Sequence, residues 1–86
     1  MEIEFNSKIL DISTQMENIV KEYENTTLDA KNIPYYIKKF MNLKKQVQEF
    51  KLNIPSEYIF ELNTLNELSE QIEFYLRQVK ILYMFL

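Results

Sequence analysis

Glu61, Glu67, Glu70 and Glu73 fall in the C-terminal third of the chain, and Glu70 and Glu73 stand one helical turn apart. Carboxylates at that spacing are half of a helical di-metal site. The other half is a histidine three residues after a glutamate, and this 86-residue chain has no histidine. Without it the glutamates read as a solvated acidic face. Ser13, Ser56 and Ser69 lack a histidine to activate them, and no serine–lysine spacing takes its place. There is no cysteine, hence neither a thiol nucleophile nor a disulfide. There is no glycine, which rules out phosphate loops built on it. The expectation is a chain that is not an enzyme and uses no metal, cofactor or small-molecule substrate.

The cations offer a different chemistry. The first 25 residues carry six acids against Lys8 and Lys21. Residues 26–51 reverse the sign, with Lys31, Lys38, Lys39, Lys44, Lys45 and Lys51 against Asp29 and Glu49. Residues 52–86 return to acid, five glutamates against Arg77 and Lys80, and the whole chain carries −3. A basic segment between two acidic ones favours packing of the middle against both neighbours, although exposed pairs contribute only about 0–1 kcal/mol each. The lysines with Tyr35, Tyr36 and Phe40 also form a weak nucleic-acid signal. A single arginine argues against it, because arginine is the favoured reader of phosphates and bases.

The aromatic residues are more informative. Six phenylalanines and six tyrosines are present, and six of these twelve lie between Tyr35 and Phe60. That content exceeds what a small core readily absorbs alongside Ile3, Ile33, Ile59, Phe74, Ile81, Met84 and Phe85. The last six residues, from Ile81 to Leu86, are consecutively apolar, so a helix must turn some of them away from its own core. Exposed apolar patches of this kind mark partner surfaces, and Tyr, Phe and Met are enriched at interface cores.

The elements that position these residues follow from periodicity. Phe5, Ile9, Ile12, Met16, Ile19 and Tyr23 recur at alternating fours and threes, a heptad-like stripe over residues 3–24. Tyr36, Phe40, Leu43, Val47 and Phe50 repeat the pattern over 34–51. For the start of this second helix, Thr26 with Asp29 resembles a capping box. Asn32 as cap with Pro34 in the first turn is preferred, since proline is tolerated there and kinks a helix elsewhere. Pro55 is expected to open the third helix, over 56–84, in which Leu62, Leu65, Leu68, Ile72, Tyr75, Leu76, Val79, Leu82, Tyr83 and Leu86 recur at threes and fours. Short connections make neighbouring helices antiparallel. The expected fold is an all-α, three-helix antiparallel bundle forming one domain over residues 1–86, with helices two and three as its firmest hairpin.

The acidic N-terminus does not resemble a secretory signal. The run from Val79 to Leu86 is interrupted by Lys80 and is far shorter than the ~20 residues that span a bilayer. The expected location is cytoplasmic.

The run Pro55-Ser56-Glu57-Tyr58, followed by Leu65, Leu68, Glu70, Ile72, Glu73 and Val79, resembles the second helix of small co-chaperones of type III secretion needle subunits. The segment ending Val47, Phe50, Leu52 would be the first arm of their helical hairpin. The resemblance spans about half the chain; the family's first arm is one long helix, whereas Pro34 and the polar run before it divide this one. It implies a short hairpin that pairs with a tetratricopeptide-like chaperone and holds a needle subunit as a monomer in the bacterial cytoplasm.

The expected function is a non-enzymatic interaction module, a small chaperone or co-chaperone burying Tyr58, Leu65, Ile72, Val79, Ile81, Tyr83, Met84 and Phe85 against a helical partner, as a homodimer or hetero-oligomer. The alternatives are a coiled-coil structural subunit with the first helix as its seam, and a small helical immunity or inhibitor protein.

Overall fold

The heptad-like stripe of the N-terminal third folds as α1, Glu2–Glu24. The computed structural model describes residues 2–85, with side chains from residue 5 onward. Leu86 and the side chains of Glu2, Ile3 and Glu4 lie outside the described residues. Helix α2 runs Ile33–Lys51 and α3 runs Ile59–Met84.

Each helix end must satisfy its free carbonyl or amide groups, and with no glycine the chain uses polar side chains. At the end of α1, the Asn25 Nδ2 donates to the Lys21 carbonyl at 2.8 Å and the Thr26 Oγ1 to the Glu22 carbonyl at 2.6 Å. At the end of α2, the Asn53 Nδ2 donates to the Glu49 carbonyl at 3.0 Å. In the loop before α2, the Asp29 Oδ1 accepts from the Lys31 and Asn32 amides at 2.8 and 2.9 Å. Pro34 sits in the first turn of α2, as expected. Asn32 is the cap by position only. Its Oδ1 turns back to the Asp29 amide and its Nδ2 to the Thr27 carbonyl.

Helix α3 begins later than the proline suggested. Pro55 belongs to a separate turn, closed by the Tyr58 amide donating to the Pro55 carbonyl at 3.1 Å. Tyr58 leaves the helical region at φ −83°, ψ 64°, and the helix starts after it. The Tyr58 ring meets Phe5 edge-on at 5.1 Å, so tertiary packing aims this residue outward from the helical path.

Cross-helix contacts give the register. Phe5 stands by Phe50, Gln15 by Gln46, and Tyr23 by Tyr36 and Phe40, so α1 and α2 are antiparallel. Lys51 reaches Asn66 and Lys44 reaches Glu73, so α2 and α3 are antiparallel too. Helices α1 and α3 therefore run parallel, with Phe5 level with Tyr58 and Tyr23 level with Tyr75 and Gln78. The result is a three-helix bundle 45 × 19 × 15 Å in extent. Its most extensive packing is between α2 and α3.

The core contains Ile12, Phe40, Leu43, Val47, Leu65, Ile72 and Val79, all fully buried, with no buried polar or charged residue among those described. Ile33, expected to fall off the main stripes, is also fully buried: it stands three residues before Tyr36 and extends the α2 stripe. It lies at the first position of α2. Tyr23, Tyr36, Phe40 and Tyr75 form one aromatic cluster, with Phe40 and Tyr75 stacked at 5.7 Å and 6° between planes. Burial of a large apolar side chain contributes about 1.5–3 kcal/mol, so this cluster fixes the relative height of all three helices.

Candidate partner-binding surface

Helix α1 ends at Glu24, just past the level at which the Tyr23 hydroxyl donates to Gln78 Oε1 at 3.0 Å. Helix α3 continues to Met84. Its last turns therefore have α2 beside them but no length of α1, and their apolar side chains remain open. Ile81 and Tyr83 are about half exposed, Met84 is 80% exposed and Phe85 81%. Backbone bonds hold this end in place: the Phe85 amide donates to the Leu82 and Tyr83 carbonyls.

The residues expected to meet a partner thus divide in two. Ile81, Tyr83, Met84 and Phe85 are on the surface and adjacent. Leu65, Ile72 and Val79 are fully buried in the chain's own core, and Tyr58 is half-buried against Phe5. The expectation that Leu65, Ile72 and Val79 also face a partner is corrected by the fold: α1 and α2 already fill the inner stripe of α3. The same correction applies to α1 as an intermolecular coiled-coil seam, because Ile9, Ile12, Met16 and Tyr23 are buried within the bundle.

Phe74 is an exposed aromatic outside the set expected to meet a partner. It is 60% exposed and lies two turns before Ile81 on the outer side of α3. Together with Glu70, Arg77 and Gln78 these two line a shallow groove of about 520 Å³. The signal was present in the sequence: Phe74, Ile81 and Phe85 repeat at seven and four, opposite the core stripe. A smaller apolar group, Leu52, Ile59 and Phe60, is exposed at the other end of the bundle.

The charged groups are arranged for packing. Glu73 forms an ion pair with Lys44 across α2 and α3. The hydrogen bond from Lys44 is the main reason its carboxyl lies below the usual range, aided by the fields of Lys44, Arg77 and Lys80 and opposed by partial desolvation. Lys39 sits over the Tyr35 ring at 5.3 Å. Lys38, Lys44, Lys45 and Lys80 surround a groove of about 500 Å³ between α2 and α3, with Met41 and Leu76 in its lining. Among the described residues, no three carboxylate, histidine or cysteine groups cluster as metal ligands. No described helix is long and apolar enough to cross a membrane.

These features define a class: a small all-helical domain with exposed apolar and aromatic faces suited to protein interaction. No family model, curated protein or solved structure matches the chain.

Proposed function

We propose that the chain is a non-enzymatic helical chaperone or co-chaperone that holds a helical partner against Ile81, Tyr83, Met84 and Phe85. One observation carries this reading: an apolar helix end projects past the helix that would cover it, with Met84 and Phe85 about four-fifths exposed. Apolar helix ends of this kind bury their surface against amphipathic helices, and the gain of about 25 cal/mol per Å² is offset in part by the cost of association. In its most specific form the reading is a cytoplasmic co-chaperone like those of type III secretion needle subunits, with the α2–α3 hairpin as the element that resembles them.

The test compares tagged full-length chain with Met84→Glu/Phe85→Glu, both purified from cells that make the protein. The expected result is one protein recovered at fixed stoichiometry with the wild type and lost with the variant. Circular dichroism melts of the two should coincide, since both side chains are already in water. Equal recovery by both forms would sink the proposal. Exchange of the bound protein for an added labelled copy separates a chaperone, which releases its client, from a subunit of a permanent assembly.

A further inference from the structure

The α2–α3 hairpin has two long faces. Helix α1 fills one of them. The other is the groove walled by Lys38, Lys44, Lys45 and Lys80 over Met41 and Leu76. Its charges are poorly answered within the chain. Glu73 is engaged by Lys44. Lys45 reaches Glu49 only at 4.0 Å, with both side chains mostly exposed, so that pair contributes little. Lys38 and Lys80 are exposed and take part in no ion pair among the described residues. A concentration of one sign of charge beside apolar surface, in a chain of net charge −3, is a local field rather than a global excess.

We infer that this groove takes an acidic amphipathic helix of a partner protein, whose apolar stripe lies over Met41 and whose carboxylates meet Lys38, Lys45 and Lys80. The inference rests on the proposed function and names the chemistry of the partner. Shape and charge both specify the occupant. A groove between two antiparallel helices accommodates a third along its length. The opposite face of the same hairpin already does so with α1, which packs Ile12 and Met16 inward and carries Asp11, Glu17, Glu22 and Glu24. A second copy of this chain cannot supply α1 as the occupant, because its apolar stripe is buried at home. Nucleic acid is the poorer fit: the lining has neither an aromatic ring for base stacking nor an arginine for phosphate.

The probe is a synthetic leucine–glutamate peptide with leucines at helical spacing. Controls are a scrambled peptide of the same composition, a leucine–lysine counterpart and polyuridylate. In a nuclear magnetic resonance titration of the full chain, the patterned acidic peptide should shift the amides of Lys38, Met41, Lys45 and Lys80, and salt should weaken it. Replacing Lys38, Lys45 and Lys80 together by Gln should lower its affinity by about tenfold or more at low salt. A parallel Glu triple variant should bind more weakly still. Glutamine keeps helix propensity, so folding survives even where the glutamates destabilise α2. Unchanged affinity in the Gln variant overturns the inference, as does equal binding of the scrambled peptide, or binding of polyuridylate in place of the acidic peptide. If the partner recovered from cells is lost by Met84→Glu/Phe85→Glu but kept by the lysine variant, the groove inference fails while the proposed function stands. Peptide binding to the groove with no partner recovered separates the reverse case.

Discussion

Tyr23 shows how one side chain can serve both packing and hydrogen bonding. Its ring lies edge-on to Tyr36, Phe40 and Tyr75, and its hydroxyl bonds to Gln78. Burial, with Tyr75 and Glu24 nearby, raises its pKa above the ordinary tyrosine value of about 10. The raised value means that the folded state favours the neutral phenol. Its stabilising contribution is therefore complete below the unfolded pKa and is lost as pH rises through the folded one. In an absorbance titration of tyrosinate, wild type should show a late-ionising component that is absent from Tyr23→Phe. The same substitution should cost about 0.5–1.5 kcal/mol in urea melts, the net value of one hydrogen bond. Phe40→Ala is a different kind of loss. It opens a cavity in a fully buried cluster and should cost about 3–5 kcal/mol, much of the stability of a small domain. Similar losses for the two variants would show that the ring of Phe40 is less tightly packed than its position indicates.

At the scale of the helices, the pairing of α2 with α3 includes an electrostatic part that can be titrated. The depressed pKa of Glu73 makes its contribution present above the unfolded carboxylate value, and it disappears as pH falls through the folded one. Glu73→Gln should reduce stability at neutral pH by no more than about 1 kcal/mol, because the pair is partly exposed. The variant should also lose less on acidification than wild type. Parallel urea melts at neutral and acidic pH check this, and identical acid sensitivity would remove Lys44–Glu73 from the account. The existence and order of all three helices were legible in the spacing of apolar residues, since each stripe buries against the other two. The start of α3 was not. Proline is compatible with a first helical turn, but it is equally at home in the preceding reverse turn, and the choice is made by Tyr58 reaching Phe5 across the bundle. The burial of Ile33 was legible after all: it stands three residues before Tyr36 and extends the α2 stripe to the first helical position.

The open end of the molecule follows from unequal helix lengths, 23 residues in α1 against 26 in α3, combined with the register that sets Tyr23 beside Gln78. Of the eight residues expected to meet a partner, Ile81, Tyr83, Met84 and Phe85 are exposed, Tyr58 is half-buried and Leu65, Ile72 and Val79 are buried. Sequence periodicity shows that Leu65, Ile72 and Val79 need covering, but not whether the cover comes from the same chain. Ile81, Tyr83, Met84 and Phe85 were recognisable because four such neighbours cannot all face one side of a helix. With the core ending at Val79, the bundle should stand without a partner. At low concentration the isolated chain should be a helical monomer by light scattering, with a single cooperative melt by circular dichroism. Its apparent mass should rise with concentration, because an exposed apolar patch favours self-association. Met84→Glu/Phe85→Glu should remain monomeric throughout that range, with its melting midpoint unchanged. A broad, uncooperative melt of the wild type would mean that the inner stripe of α3 is not filled at home and that Leu65, Ile72 and Val79 belong to the interface after all. A large destabilisation of the double variant would instead make the end of α3 part of the fold, and the binding surface would then have to be sought along the lysine groove.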